Sequence, residues 1–396
     1  FFLKTGGIVA NFFISKFPLN YNFEIKKTID RLSIFRNNDI FLQFPDGLES
    51  YSTSIIKTLK TCCFELNDFW IGNRTTYGAC CMEDYLGKLI GAGITLHYGH
   101  SCLIPVTECM LPIFFVFIEI KFDFSFMISI LNEYFSEKKI NLALVGTIQF
   151  ASSLKKIKNG FQTKFGLFFV PQVKPLSPGE ILGCTSPCLE GVSDIFYIGD
   201  GRFHLESIIL TNFFSRFLQF NPFSQSLNLV GHKTIEIFRE RRYMIFKSIF
   251  FSKKIGLITG SIGRQGNPLI SKKLKEIFHF RNIWNIDFTI SEISFDRLGS
   301  IGDREIDTWI QVACPRLSVD WSLSFDKPIL TPYEAGVLLR FCFWKKLFYP
   351  MDFYSQQSDF WGNYAKKKSF YKTFKLPKTV LCIFSFLYIF YSASHI

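Results

Sequence analysis

The chain has 396 residues, 48% hydrophobic and 20% charged, which is enough length and apolar content for two or three domains with buried cores. Its formal net charge of +12 would attract an acidic partner or a nucleic acid, but no Arg/Lys stripe interleaves with aromatics as an RNA-binding surface requires, so direct nucleic-acid recognition is not expected. Eleven cysteines, an odd number in a long chain whose first residues lack a signal-peptide layout, argue against a disulfide framework and for a reducing, cytoplasmic compartment.

Phe1 opens the chain where a methionine would be expected, which points to a start further upstream, and 1–16 is apolar without a period. Within 18–32, Ile25, Ile29 and Leu32 fall at helical spacing and predict an amphipathic helix. Short apolar runs at 40–44, 69–72 and 94–98 predict strands, each stopped by a turn: Pro45-Asp46-Gly47, Tyr77-Gly78-Ala79-Cys80 and Gly99-His100-Ser101-Cys102. The order recurs at 142–145, 168–170 and 195–198, the last running into Gly199-Asp200-Gly201-Arg202. A third round has 255–259 before Gly260-Ser261-Ile262-Gly263-Arg264-Gln265-Gly266, then 284–290, then 309–312 before Cys314. Helical stretches at 126–134 and 271–278 lie between the strands.

Alternation of strand and helix predicts an α/β fold of three similar domains, each a mostly parallel sheet flanked by helices. The expected boundaries are 18–135 with Cys80, 136–240 with Cys184, and 241–350 with Cys314. From about Tyr349 the pattern fails, and 351–396 reads as an irregular basic and apolar tail. Its apolar run, 379–391, falls short of the roughly 20 residues a membrane span needs, so a disordered extension is preferred to a tail anchor. The 49 phenylalanines read as compositional drift, since many stand where aliphatics would serve.

Cys80, Cys184 and Cys314 each follow a small residue near the end of an apolar run. Ligands of parallel α/β folds gather at strand carboxyl ends, where three similar domains facing inward would bring the three thiols together. Thiolates are the normal ligands of iron–sulfur clusters, and three of them on a 4Fe-4S cluster leave one iron open; buried structural thiols are the other reading. Cys81 is expected to point away from its neighbour, and a zinc pair of Cys184 with Cys188 would still lack two ligands. His97, His100 and Cys102 resemble a metal cluster, but in extended chain His97 shares no face with the other two, so a polar loop bonding backbone is preferred. The glycine turn at 260–266 can offer amides to an anion, with Arg264 clamping a carboxylate, and Asp200, Arg202 and His204 stand on a second such turn.

Several longer motifs carry a resemblance: YGACC with HYGHSCLIP, VGTIQF, KPLSPGEILGCTSP, GDGRFHLES, GRQG, QVACPRLSVDW and KPILTPYEA. Over 20–353 the chain resembles the first-subunit family of diphthamide synthase, the 2-(3-amino-3-carboxypropyl)histidine synthases. The resemblance implies three α/β domains around one 4Fe-4S cluster, with Cys80, Cys184 and Cys314 as its ligands. It implies a transferase that binds S-adenosylmethionine and moves its 3-amino-3-carboxypropyl group to a histidine of translation elongation factor 2. It further implies a heterodimer with a related second subunit and a small zinc-binding protein as electron donor. Arg264, Gln265, Gly263, Asp200 and His204 are the expected cofactor contacts. The complete cysteine set favours a catalytic over a scaffold subunit. The segment 216–224 is read as a diverged version of the family's tyrosine-rich stretch.

Overall fold

The computed structural model describes residues 17–365 apart from 36, 64–66, 73–77, 136–140, 161–166, 232, 250–251, 303–304, 322–323 and 341. The expectations placed on 1–16, on Tyr77 and on the apolar run 379–391 lie outside the described residues. Strand β1 (Tyr21–Asn22) precedes the first sheet. That sheet holds β2 (Ile40–Gln43), β3 (Phe69–Ile71), β4 (Ile94–Tyr98) and β5 (Ile113–Val116) in the order β3-β2-β4-β5, all parallel. β6 (Glu119–Ile120) returns to pair antiparallel with β1.

The second sheet comprises β7 (Asn141–Gly146), β8 (Leu167–Phe169), β9 (Asp194–Ile198), β10 (Arg216–Asn221) and β11 (Ser226–Val230), ordered β11-β10-β9-β7-β8. Only β10 and β11 pair antiparallel in this sheet; the segment 216–224 forms β10 and the turn that follows it. The third holds β12 (Lys254–Gly260), β13 (Trp284–Ile290), β14 (Thr308–Val312) and β15 (Ile329–Leu330), ordered β13-β12-β14-β15 and parallel throughout. In the first and third sheets the chain starts in the middle, crosses to one side and returns to the other, which places a topological switch point beside the leading strand.

Helices cover the sheet faces because parallel strands are buried on both sides. The helix Ile25–Leu32 buries Leu32, with Ile25 and Ile29 packed on the first sheet's core, as its spacing predicts. Pro268–Phe280 starts three residues before its apolar stripe: Asn267 caps it, accepting from the Leu269 amide at 2.9 Å, and Pro268 fills the first turn where no donor is needed.

The domain boundaries need three corrections. Met127 and Leu131 of the helix Ser125–Tyr134 pack with Leu142, Leu144 and Phe196, so this helix covers the second sheet although it precedes residue 136. The boundary at 240/241 falls inside one helix, Lys233–Ser248, whose start joins the second core through Ile235 and whose end adjoins the third through Ile245. A helix reaching between two sheets shows no break in sequence because its two ends are equally apolar.

The third correction concerns 349–364, read as the start of an irregular tail. It is irregular in backbone but packed. Tyr349, Met351, Phe353, Tyr354 and Trp361 are all buried in one cluster with Met82 of the first unit, Leu210 of the second and Tyr333 of the third. Ser186 donates its amide to Met351 O at 2.7 Å, Gln356 to Lys174 O at 3.1 Å, and Asn363 Nδ2 to Gln265 O at 2.9 Å. The segment is a strap across the second and third units, held by aromatic burial and by backbone bonds to loops; strand or helix periodicity cannot reveal such a strap. Among the described residues no helix is long and apolar enough to cross a membrane.

Candidate functional site

Cys80 lies in a single 3-10 turn, Ala79–Cys81, entered through Gly78. Gly78 has φ +95°, and a Cβ there would sit 3.5 Å from the His100 ring, so a side chain is excluded by conformation more than by space. A 3-10 turn does not alternate faces as a strand does. Cys81 therefore stays inside with Cys80, contrary to expectation, and its sulfur accepts from Gln265 Nε2 at 3.2 Å.

Cys184 stands at the tip of a two-residue turn, because the Leu182 and Thr185 backbones bond each other in both directions at 2.9 and 3.2 Å. The other tip residue is Gly183, where a Cβ would lie 2.1 Å from the Phe203 ring. Thr185 Oγ1 donates to Cys184 Sγ at 3.8 Å. Cys314 follows β14 directly, at its carboxyl end, where helix Pro315–Trp321 begins.

The three cysteines act electrostatically on one another, and Cys80 and Cys184 share one core cluster. Cys80 is held well above the ordinary thiol range by its bond with Cys81, by burial, and by the charges of Cys81, Cys314 and Cys184. Burial and then Cys314 push Cys184 up to about 12, against the pull of Arg316. Burial pushes Cys314 up to about 11, with the Arg316 and Leu317 amides and the Arg316 charge opposing. Among the described residues no three His, Cys, Asp or Glu side chains close around a point in the way a single metal ion demands. Cys188 is exposed and belongs to no such set, so the zinc pair gains no support.

Each cysteine loop is pinned to another unit. Arg264 donates its amide to Cys80 O at 2.7 Å and its guanidinium to Asp84, Nη2–Oδ2 2.6 Å and Nε–Oδ1 3.1 Å, with Nη1 on Tyr85 OH at 2.8 Å. The guanidinium also lies over the Tyr85 ring, 4.1 Å from its centre. Arg316 donates to Gly183 O at 3.3 Å, Phe203 O at 2.6 Å and Glu206 at 2.7 Å, and to Asp320 on its own helix at 2.9 Å. Ser101 donates to the buried carboxyl of Glu180, which also accepts the Ser177 amide at 2.8 Å. Burial raises that carboxyl to about 7.

Arg264 therefore differs from its expected role: its fork is filled by Asp84 and is not open to a substrate carboxylate. The glycine turn likewise grips the first unit. A Cβ on Gly263, at φ +50°, would come within 2.7 Å of the Cys81 backbone, and Gln265 spends its amide on Ile262 O at 3.2 Å. Asp200 faces solvent. His204 is half-buried, lowered to about 4 by burial first, then by the charges of Arg316 and His100.

His97 and His100 do meet, Nε2 to Nδ1 at 3.1 Å, and His97 Nδ1 faces Gln43 Oε1 at 3.4 Å. Gly99, at φ +73°, breaks the alternation that would have kept them on opposite faces. Burial lowers His97 well below the usual range and His100 to about 4, so both are neutral. Cys102 turns to Ile104 O at 3.9 Å and completes no metal set.

Sequence reasoning missed Arg316 and Tyr354. Arg316 had a signal, two residues after a candidate ligand and starting a helix. Tyr354 had none, since it stands in the strap. Its hydroxyl is buried without a hydrogen-bond partner among the described residues. Burial raises this phenol well above its ordinary value, and the charges that act on it next are those of Cys80, Cys184 and Cys314. An unpaired buried hydroxyl costs about 1–3 kcal/mol, and this one stands on a segment whose backbone is bonded to the Cys184 turn.

The family model for diphthamide synthesis protein matches 44–349. The 2-(3-amino-3-carboxypropyl)histidine synthase subunit 1 of Dictyostelium discoideum is 40% identical over 365 residues, covering 90% of this chain and 76% of that protein. Its counterparts in Schizosaccharomyces pombe and Homo sapiens are 41% and 40% identical, covering 87% and 86% of this chain and 79% and 77% of theirs. The crystal structure of Dph2 from Pyrococcus horikoshii with a 4Fe-4S cluster shares the fold, with TM-score 0.69 at 19% identity over 87% of this chain and 96% of that one. With parallel sheets flanked by helices, a match over most of its length and relatives at this identity, the chain belongs to the diphthamide synthesis protein family.

Proposed function

We propose that this chain is the cluster-bearing subunit of a 2-(3-amino-3-carboxypropyl)histidine synthase, with its three α/β units arranged around one 4Fe-4S cluster held by Cys80, Cys184 and Cys314. What supports this reading most is that buried thiols on loops of three separate units act on one another's charge, Cys80 on one side and Cys184 and Cys314 on the other. An all-sulfur donor set suits iron–sulfur ligation, and a cubane spreads its thiolates over a wider span than one ion does. The relatives' shared name and the neighbouring structure's cluster support it.

When bound, such a cluster, held by Cys80, Cys184 and Cys314, would supply one-electron reducing chemistry toward S-adenosylmethionine. The net transfer is redox-neutral: it breaks the carbon–sulfur bond to the aminocarboxypropyl chain, releases 5′-methylthioadenosine, forms a bond to a ring carbon of the target histidine, releases one proton and gives back the electron used to open the carbon–sulfur bond. The target is a histidine of translation elongation factor 2, and the reaction is the first step of diphthamide synthesis. The chain's own residues set the conditions. Arg316 is the cation beside Cys184 and Cys314 and favours their thiolates. His100 and His204 stay neutral through burial, so they offer hydrogen bonds without adding positive charge. Gln265, on the turn that grips Cys81, and His204 remain as cofactor contacts; Arg264 acts by fixing the Cys80 turn.

The same reading makes the enzyme cytoplasmic, a heterodimer with a related second subunit, and dependent on a small zinc-binding electron donor. The test is anaerobic purification with the second subunit, iron and sulfide analysis, and chromatography of the reaction with S-adenosylmethionine. About four irons and four sulfides per cluster, 5′-methylthioadenosine as the nucleoside and a mass gain on the factor are expected. Deoxyadenosine as main product, with no mass gain, would refute the mechanism even if iron were present.

A further inference from the structure

We infer that the Tyr354 hydroxyl donates a hydrogen bond to a sulfur of the cluster and raises its reduction potential. The inference rests on the cluster reading above and adds to it a residue outside the sheets. Tyr354 is 1% exposed, and its hydroxyl has no hydrogen-bond partner among the described residues. A buried O–H normally finds an acceptor, so the acceptor has to be supplied by what fills the space beside it.

The strap fixes the ring there. Phe353 donates its amide to Cys184 O at 3.2 Å, Tyr354 donates its own to Thr185 Oγ1 at 3.3 Å, and Thr185 Oγ1 donates to Cys184 Sγ at 3.8 Å. Asp352 pairs in a β-bridge with Thr185, and its carboxylate accepts from Trp361 Nε1 at 2.7 Å. The backbone leading into Tyr354 is thus bonded to the Cys184 turn, and the ring is buried beside it. Tyr364, 6.2 Å from it ring to ring, is too far for its hydroxyl to be inferred as the partner from ring packing alone, and no hydrogen bond joins the two.

The thiols of Cys80, Cys184 and Cys314, one from each unit, lead the charges that act on this hydroxyl. Cluster potentials depend on hydrogen bonds to the sulfurs and on solvent exposure. A neutral donor stabilises the reduced, more negative cluster over the oxidised one. A phenylalanine keeps the ring and the exclusion of water while removing the donor, so it isolates the bond from the packing.

The test is a redox titration of the Tyr354→Phe chain in the complete heterodimer, followed by the electron paramagnetic resonance signal of the reduced cluster. A hydrogen bond to a charged group is worth about 1.5 kcal/mol or more, which is about tenfold in the reduction equilibrium. For one electron that is a fall of about 59 mV. The expected result is unchanged iron and sulfide content with a potential lowered by about that much. Unchanged iron with an unchanged potential overturns the inference and leaves the cluster reading intact. Wild-type protein without a cluster overturns both. A variant that binds no iron also counts against the inference, since the hydroxyl would then be needed for assembly. An independent measurement on the wild type needs no variant: after exchange into heavy water, pulsed spectra of the reduced cluster should show a strongly coupled deuteron, and its absence overturns the hydrogen bond.

Discussion

Replacing Arg264 by alanine separates two roles that the glycine turn can play. If Arg264 clamps a cofactor carboxylate, Arg264→Ala leaves stability intact and raises the requirement for S-adenosylmethionine. The geometry indicates a pin between the third and first units instead. Asp84 is 0% exposed and Arg264 12% exposed, with two hydrogen bonds between them. Without the guanidinium, Asp84 keeps, among the described residues, the Met110 amide at 2.6 Å. Removing one partner of a buried pair costs about 3–5 kcal/mol, because the remaining charge stays buried and uncompensated. The residual exposure of Arg264 places the loss near the lower end, about 3 kcal/mol. Taking a urea slope of about 3 kcal/mol per M, the unfolding midpoint should fall by about 1 M. Adding Asp84→Asn should return part of the loss, since the two changes share one interaction and do not add. An unchanged midpoint in Arg264→Ala, with cofactor affinity weakened about tenfold, would refute the pin and restore the clamp.

Cys80→Ser, Cys184→Ser and Cys314→Ser should each abolish activity and most of the iron, because a serine oxygen cannot replace a soft thiolate. Cys188→Ser, which is exposed, and Cys81→Ser, whose hydroxyl can still accept from Gln265, should keep the cluster; retention of iron in Cys184→Ser with its loss in Cys188→Ser would reverse the ligand assignment. Glu180 gives a pH dependence whose sign follows from its raised value of about 7 in the fold. Between about pH 4.5 and pH 7 the unfolded chain releases a proton that the folded chain keeps, so stability is full below this window and falls as pH rises through it. The shift corresponds to a cost on the order of 3 kcal/mol above pH 7. Glu180→Gln should therefore stabilise the protein at pH 8 and have little effect near pH 4; equal effects at both would show that the carboxyl is not buried in its neutral form.

The repeating rhythm of strand, glycine turn and helix was legible in the sequence because local rules write it there: buried strands are short apolar runs, and a turn at φ above zero needs glycine. The same rules placed Cys80, Cys184 and Cys314 at loop positions, and the longer motifs around them carried the family. Local rules do not say what a loop meets. Arg264 reads as a free cation until Asp84, 180 positions away in the chain, is seen to fill its fork. His97 and His100 read as opposed until the backbone at Gly99 turns one toward the other. Cys81 read as facing away because a strand was assumed where a 3-10 turn forms. The strap carrying Tyr354 was opaque for a deeper reason. Its residues gain their burial from loops and helices of three separate units at once, so no period within the segment records it; only the tertiary structure brings together the surfaces against which those aromatic side chains are buried.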